Sequence, residues 1–166
     1  THDIDHVKKF HFFREPRILA GLIIHRKFKK ASVRFRQILK SILRDPYWNF
    51  EEIMDKEKEY GFTSSFYFTC GGDSEYDADY NIKDRKIKDL IHLIRERKFE
   101  VGLHGSFNSY NDYELLDREY DTLKSIVDNI FGGRQHYLRF DTQTSFKIYE
   151  QLGLRYDTTM GFAEHE

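Results

Sequence analysis

The chain has 166 residues, with 27 basic and 28 acidic side chains and a formal net charge of −1. This balance excludes a typical nucleic-acid-binding domain, because such domains carry an excess of basic residues. The length favours a single domain, and the one cysteine excludes an internal disulfide framework. The longest apolar run, Ile18 to Ile24, is too short to cross a bilayer, and no signal peptide is recognisable. We therefore expect a cytoplasmic protein without a transmembrane segment.

The first half of the chain alternates between strand-like and helical patterns. Apolar residues recur at helical spacing until Asp45-Pro46 interrupts them, and Asn49 with Glu52 has the spacing of a capping box. The segment FTSSFYFT is rich in aromatic and hydroxyl side chains, which is typical of a strand. The predicted elements are a strand end at Thr1 to Asp5, a helix from Arg17 to Arg44, a helix from Asn49 to just before Gly61, and a strand from Phe62 to Thr69.

A basic run from Arg26 to Arg36 lies inside the first predicted helix and interleaves with Phe28 and Phe35. This pattern favours a solvated basic face with an apolar stripe in the core. The alternative interpretations are a helix that lies on an anionic membrane surface and one that contacts an acidic glycan.

The second half of the chain continues the alternation. The segment from Cys70 to Asn81 carries Gly71-Gly72 and several acidic residues, and it is predicted to be a loop. The elements predicted after it are a helix from Asp84 to about Lys98, a strand from Phe99 to Leu103, a helix from Asp112 to Phe131 stopped by Gly132-Gly133, a strand from His136 to Phe140, a helix from Thr142 to Leu152, and a strand from Leu154 to Thr158.

Strands that alternate with single helices predict a parallel α/β fold. In such folds the chemistry lies at the carboxyl ends of the strands. Polar residues fall at these predicted strand ends, which is the first indication of function: Asp3 and Asp5, Cys70 to Asp73, His104 to Ser109, Arg139 to Asp141, and Asp157.

Asp3 and Asp5 lie on the same side of an extended segment, so their carboxylates repel each other unless a proton or cation lies between them. His104 and Asn108 offer further donor atoms, and such a mixed set suits a divalent ion such as zinc. Each residue taken alone also has an ordinary interpretation. The aspartates fit a solvated loop with a helix cap, and the histidine fits a core position with both nitrogens hydrogen-bonded.

Four segments taken in order resemble the polysaccharide deacetylases of carbohydrate esterase family four: THDID, GLHGSFNS, LRF and LGLRYDTTMGF. The resemblance extends from Thr1 to Phe162 and is closer to bacterial members whose first motif is D-x-D. It implies a distorted, incomplete (β/α)7-type barrel with parallel strands, truncated at both ends, in a single partial domain over residues 1–166. The implied activity is the metal-dependent removal of an acetyl group from an N-acetylated sugar of a bacterial polysaccharide or glycan precursor.

The resemblance also implies roles for individual residues. Asp3 corresponds to the catalytic base, Arg139 to the arginine that orients it, and Asp5 and His104 to metal ligands, with zinc the expected ion. The family's H-x-x-x-H motif has Asn108 in place of its second histidine. Asn108 is therefore the implied third ligand, with a weaker metal affinity because an amide oxygen is a poorer zinc donor than imidazole.

We expect Phe140, Asp141 and Asp157, in the last two motifs, to contact the carbohydrate substrate. The family's leucine-x-histidine motif, which supplies a general acid, has no counterpart in these residues. No nucleic-acid partner is expected, and the sequence does not indicate an oligomeric state.

The replacement at Asn108 supports an alternative function, a catalytically inactive deacetylase-like domain that binds glycan or acts as a scaffold. The presence of Asp3, Asp5, His104 and Arg139 favours the enzyme, because an active site that has lost catalysis is not expected to retain all four residues.

Overall fold

The computed structural model describes residues 1–10 and 14–161, so Phe162 at the end of the family resemblance lies outside the described residues. The chain divides into two compact units. The larger consists of Thr1–Asp5 and Lys56–Glu166, and the smaller of His6–Asp55. The single domain expected over residues 1–166 stays a prediction.

The larger unit is built on one open sheet, in which the described residues form five strands. These are β1 (His2–Ile4), β2 (Ser65–Thr69), β3 (Glu100–Gly105), β4 (Gly132–Gln135) and β5 (Tyr156–Asp157). Neighbouring strands are all parallel and follow the order β1-β2-β3-β4-β5. The parallel α/β class predicted from the alternation of elements is confirmed.

Six helices lie in the described part of the chain. They are α1 (Glu15–Ile24), α2 (Phe28–Leu43), α3 (Phe50–Glu59), α4 (Arg85–Glu96), α5 (Tyr113–Lys124) and α6 (Ser145–Leu152). The helix predicted from Asp84 to about Lys98 is confirmed as α4, and its apolar face is buried as the periodicity requires: Ile87, Leu90, Ile91 and Ile94. None of the described helices combines the length and the apolar character needed to span a bilayer.

The sheet is strongly curved. Arg134 on β4 donates a hydrogen bond to Asp3 on β1 at 2.8 Å, although β2 and β3 lie between these strands. Three strand spacings of a flat sheet would separate β1 from β4 by about 14 Å. A hydrogen bond between side chains across this span indicates that the sheet curves, so that β1 and β4 approach each other on one face.

Two predicted boundaries around β4 are wrong. The helix predicted from Asp112 to Phe131 ends at Lys124, and the strand predicted from His136 to Phe140 is replaced by β4, which ends at Gln135. The two glycines of β4 pair with β3 and β5, and aromatic rings occupy the space that their side chains would fill. A Cβ on Gly132 would be 2.5 Å from the Tyr156 hydroxyl oxygen, and one on Gly133 would be 2.6 Å from that of Tyr149.

The helix predicted from Arg17 to Arg44 is two helices, α1 and α2, separated by a turn. Arg26 has a left-handed backbone with φ of 55°. Its N–H donates to the Ile23 carbonyl at 2.9 Å, and the Lys27 N–H donates to the Leu22 carbonyl at 2.8 Å. This pair of bonds is a Schellman motif, which ends a helix. Glycine usually occupies the left-handed position, so an arginine there gave no stop signal in the sequence.

Within the smaller unit, a salt bridge joins α1 to α2. Glu15 is 4% exposed and accepts two hydrogen bonds from Arg34, at 2.6 and 2.9 Å. These bonds raise the pKa of the Arg34 guanidinium. The apolar core stripe expected on α2 is not found, because Phe28 and Phe35 are 60% and 52% exposed.

Gly102 in β3 is predicted to be intolerant of a side chain. A Cβ there would lie 2.6 Å from Cδ1 of the buried Tyr67 and 2.9 Å from the Gly132 carbonyl oxygen, a backbone atom that cannot rotate away. We expect Gly102→Ala to lower the free energy of unfolding by about 1–3 kcal/mol, the usual cost of overpacking. Urea denaturation measures it, with Gly21→Ala as the control because a Cβ at Gly21 meets nothing within 4 Å. Equal stability of Gly102→Ala and wild type would contradict this packing.

Candidate metal centre

Three side chains with metal-ligating atoms meet at the carboxyl end of the sheet. Asp5 follows β1, His104 lies near the end of β3, and His136 follows directly after β4. Both histidines are buried, and Asp5 is half-buried. The strand order therefore gathers donors from three separated segments at one edge, as expected for a parallel sheet.

The three donor atoms are close to one another. His104 Nε2 lies 3.2 Å from Asp5 Oδ1, and His136 Nδ1 lies 3.5 Å from the same oxygen. The two ring nitrogens, His104 Nε2 and His136 Nδ1, are 3.0 Å apart. Asp5, His104 and His136 thus form a group that could hold a metal ion.

Hydrogen bonds on the far side of each ring fix which nitrogen faces the centre. His104 Nδ1 lies 2.8 Å from the Arg134 carbonyl oxygen, and His136 Nε2 lies 2.5 Å from the Tyr76 carbonyl oxygen. A carbonyl only accepts, so these two nitrogens carry the hydrogens. In the neutral rings His104 Nε2 and His136 Nδ1 then present lone pairs, and all three atoms at the centre are acceptors.

Three acceptors at this separation repel one another unless a proton or a cation lies among them. A tetrahedral zinc ion with bonds of about 2.0–2.1 Å would hold its ligand atoms about 3.4 Å apart, close to the separations in this group. Two histidines and one carboxylate, with a fourth position left open, are a ligand set of catalytic zinc sites. Backbone carbonyls that fix the outer ring nitrogens are likewise usual around ligating histidines. The residues present therefore fit a divalent transition metal.

Asp3, which lies on β1 two residues before Asp5, is held by Arg134. The Arg134 Nε donates to Asp3 Oδ2 at 2.8 Å, and its Nη1 donates to the Thr158 carbonyl oxygen. The backbone carbonyl of Arg134 also accepts from His104. One residue of β4 therefore fixes the positions of both the carboxylate proposed as base and a histidine of the metal group.

Arg139, the expected partner of Asp3, lies elsewhere. Its Nη1 donates to the Phe107 carbonyl oxygen at 2.6 Å, and its guanidinium stacks on the rings of Phe107 and Tyr110 at 4.0 and 4.4 Å from their centroids. The contact with Asp3 is made by Arg134, five residues earlier, because that side chain leaves β4 on the inner face of the curved sheet. Arg134 therefore makes the contact with Asp3 that the family resemblance implies for Arg139. A catalytic role for Arg139 stays a prediction.

The other residues predicted for the site are placed as follows. Asn108 is exposed and precedes the 3₁₀ turn Ser109–Asn111, and its role as third ligand stays a prediction. Phe140 packs edge-on against Phe146, with ring centroids 4.8 Å apart.

The carboxylates of Asp141 and Asp157 accept local hydrogen bonds. Asp141 accepts from the Gln143 N–H at 2.9 Å, and Asp157 accepts from the Thr159 N–H at 2.8 Å. These bonds organise the turns that follow β4 and β5. Contact of Phe140, Asp141 and Asp157 with a sugar stays a prediction.

An aromatic cluster borders His136. The rings of Tyr76, Phe107 and Tyr137 contact one another, with centroids 4.6 to 5.6 Å apart, and the Tyr137 ring lies 4.7 Å from that of His136. Tyr137 and Leu138 both have φ of 54°, a left-handed conformation that is strained for residues with a Cβ. Tyr137 is nevertheless 63% exposed and Tyr76 45% exposed. Large apolar rings are thus held in solvent next to the metal group.

Glu119 on α5 is a buried carboxyl group behind the His104 loop. It is 2% exposed, and its Oε2 accepts from the Ser106 N–H at 3.0 Å. Burial raises the pKa of this carboxyl group, and the charge of Asp77 adds to the effect. The folded protein therefore binds the proton more tightly than the unfolded chain does.

This raised pKa predicts a pH-dependent stability. Between the ordinary glutamate pKa and the raised one, the folded state holds more protons, so the stability falls as pH rises through this window. We expect the free energy of unfolding of Glu119→Gln, relative to wild type, to increase over the same window, because glutamine carries no charge to bury. Denaturation at a series of pH values measures the difference, and a constant difference would contradict the raised pKa.

His136 and Arg134 are the two residues that the sequence interpretation missed. Neither belongs to a motif that the family resemblance matched. A signal was present for His136, since it directly follows β4, and polar residues at the carboxyl ends of parallel strands indicate a site. It was lost because the strand was predicted to begin at His136 instead of ending before it.

No protein-family model matches the sequence, and no curated protein matches it. The structure is similar to two crystal structures of mutants of a CE4 family pseudoenzyme, the second described as having restored enzymatic activity. Each has a TM-score of 0.49 and 12% sequence identity over 66% of this chain. The chain spans 38% of the first structure's length and 39% of the second's. Function is therefore argued from the residues of the site.

Proposed function

We propose that this chain is a metal-dependent hydrolase that removes an acetyl group from an N-acetylated sugar of a bacterial polysaccharide or glycan precursor. The observation that carries the proposal is the convergence of Asp5 Oδ1, His104 Nε2 and His136 Nδ1 with their lone pairs facing one centre. The motif resemblance to polysaccharide deacetylases supports the same reaction.

Asp5, His104 and His136 would hold the ion, which we propose to be zinc on the grounds of its two imidazole ligands. When bound, a divalent ion supplies a Lewis acid that activates water and polarises the acetyl carbonyl. Asp3 is the proposed general base that takes a proton from that water. Arg134 holds Asp3 through Oδ2, which keeps the carboxylate in a fixed orientation for this transfer.

The aromatic cluster supports a carbohydrate substrate. The exposed faces of Tyr76 and Tyr137 lie beside His136 and offer apolar surfaces on which the C–H face of a sugar ring can stack. Stacking at this place would set an acetamido group near the metal ligands. The backbone strain at Tyr137 is consistent with a functional position, since strained residues persist where the surrounding structure holds them.

The test is acetate release from oligomers of N-acetylated amino sugars. Protein stripped by a chelator is expected to be inactive, and added zinc is expected to restore release. A parallel binding titration with the same oligomers separates the two functions considered for the chain. Binding without acetate release under any divalent metal would overturn the hydrolase and assign the chain to the non-catalytic glycan-binding class.

A further inference from the structure

The segment from Arg17 to Arg44 combines a high positive charge with exposed apolar side chains. It contains nine lysines and arginines and no aspartate or glutamate, in a chain whose overall net charge is −1. It covers α1 from its third residue onward, the turn after it and α2, within the smaller unit, and Glu15 at the start of α1 lies outside it. The positive charge is thus concentrated in one part of the chain and compensated elsewhere.

The apolar residues of α2 form a continuous exposed stripe. Positions 28, 35, 39 and 42 fall on one helix face, because intervals of 7, 11 and 14 residues are close to whole numbers of turns. The side chains on this stripe are Phe28, Phe35, Leu39 and Ile42, and they are 48% to 74% exposed. The buried residue of α2, Ala31, lies at one edge of the stripe, about 20° around the helix from Ile42.

Basic residues border this stripe. By helical position, Lys29, Arg36 and Lys40 fall together along one edge of the stripe, about a quarter turn from its centre. An apolar face that contains phenylalanine and leucine, flanked by lysine and arginine, is the arrangement of helices that lie in the plane of a membrane interface. An apolar stripe of this kind is not needed to bind a soluble polyanion such as a nucleic acid.

We propose that α2 binds the surface of a bilayer that contains anionic phospholipids, with Phe28, Phe35, Leu39 and Ile42 inserted among the lipids and the basic border on the headgroups. The charge argues for lipid rather than a second copy of the chain. Each segment carries nine positive charges, of which Arg34 and Arg44 are paired with the carboxylates of Glu15 and Glu52. Two copies that met through this face would therefore bring together two segments with a large excess of positive charge. The proposal is independent of the hydrolase function.

Flotation with lipid vesicles tests the proposal on the whole chain. Wild type is expected to float with vesicles of phosphatidylcholine and phosphatidylglycerol, to release at high salt, and to stay unbound with phosphatidylcholine alone. Phe35→Ser and Ile42→Ser are expected to weaken binding about tenfold each. The double charge reversal of Lys29 and Lys40 to glutamate is expected to weaken it at least as much. Phe62→Ser is the matched control, because Phe62 is 66% exposed and lies outside the segment.

Three results would overturn the proposal. Absence of wild type from the anionic vesicle fraction would remove the lipid surface as the partner. Binding of Phe35→Ser and of the charge-reversed variant at the wild-type level would remove it as well. A dimer in the absence of vesicles that Phe35→Ser dissociates would assign the stripe to a second copy. The substituted side chains are exposed, so the variants are expected to remain folded. Thermal unfolding of each variant checks this.

Discussion

Replacing His136 with alanine is expected to lower the affinity for zinc by roughly 100-fold or more and to abolish acetate release. The magnitude follows because changes to groups that only support a metal ligand already cost about 10- to 100-fold, and His136 itself would be a ligand. Its Nδ1 lies 3.0 Å from His104 Nε2 and 3.5 Å from Asp5 Oδ1, so its loss removes one of three donors. Calorimetric zinc titration of chelator-treated protein measures the affinity.

Two control variants separate this effect from a general loss of histidine or of a nearby polar group. His92→Ala removes an exposed histidine on α4 and is expected to leave zinc affinity unchanged. Asn108→Ala tests the third ligand implied by the family motif, and it is expected to have a much smaller effect than His136→Ala. A larger loss for Asn108→Ala than for His136→Ala would contradict the assignment of His136.

Asp3→Asn is expected to lower the rate of acetate release by about 10²- to 10⁴-fold, the usual contribution of a general base, while zinc affinity remains near that of wild type. Asparagine keeps the shape of the side chain and can still accept a hydrogen bond from Arg134, but it cannot take a proton. Steady-state kinetics on the zinc-loaded protein measure the rate, and the zinc titration measures the affinity.

Asp5→Asn provides the comparison for Asp3→Asn. Asp5 contributes a donor atom to the metal group, so its substitution is expected to lower zinc affinity and activity together. The two aspartates, two residues apart on the same strand edge, are thus expected to differ in their effect on metal binding. Retained activity in Asp3→Asn would refute the base assignment, and loss of zinc from Asp3→Asn would place Asp3 among the ligands.

The sequence predicted the parallel α/β class because each helix and strand carried its own periodicity. For α4 the pattern of four buried apolar residues is local, and the strand β2 consists of aromatic and hydroxyl residues that favour extended structure. Such elements need little information from the rest of the chain. The sequence did not predict the break between α1 and α2. The chain turns at Arg26, which has a left-handed backbone, and arginine is not a residue type that indicates such a turn.

The site was predicted in part, and the missing part depends on tertiary structure. Asp5 and His104 were identified from the motifs, and the structure brings them together. His136 was overlooked because Gly132 and Gly133 were interpreted as a helix stop. The rings of Tyr156 and Tyr149 that lie against these glycines come from later in the chain, so no local pattern places the two glycines in a strand.

The arginine partner of Asp3 could not be predicted for a similar reason. Arg134 and Asp3 are 131 residues apart and lie on strands that are not neighbours in the sheet. Only the curvature of the sheet brings the two side chains within hydrogen-bond distance. A motif match placed the role on Arg139, whose guanidinium instead stacks on Phe107. The spacing of a motif is thus a weaker guide than the face of the strand on which a residue lies.

Anomalous diffraction at the zinc absorption edge, from crystals of the protein grown with zinc, tests the central claim most directly. The account predicts one strong peak within bonding distance of Asp5 Oδ1, His104 Nε2 and His136 Nδ1, at about 2.0–2.2 Å from each. The outer nitrogens of both rings are expected to remain on the carbonyls of Arg134 and Tyr76. No peak at this position under saturating zinc, or a peak whose ligands do not include His136, would contradict the account.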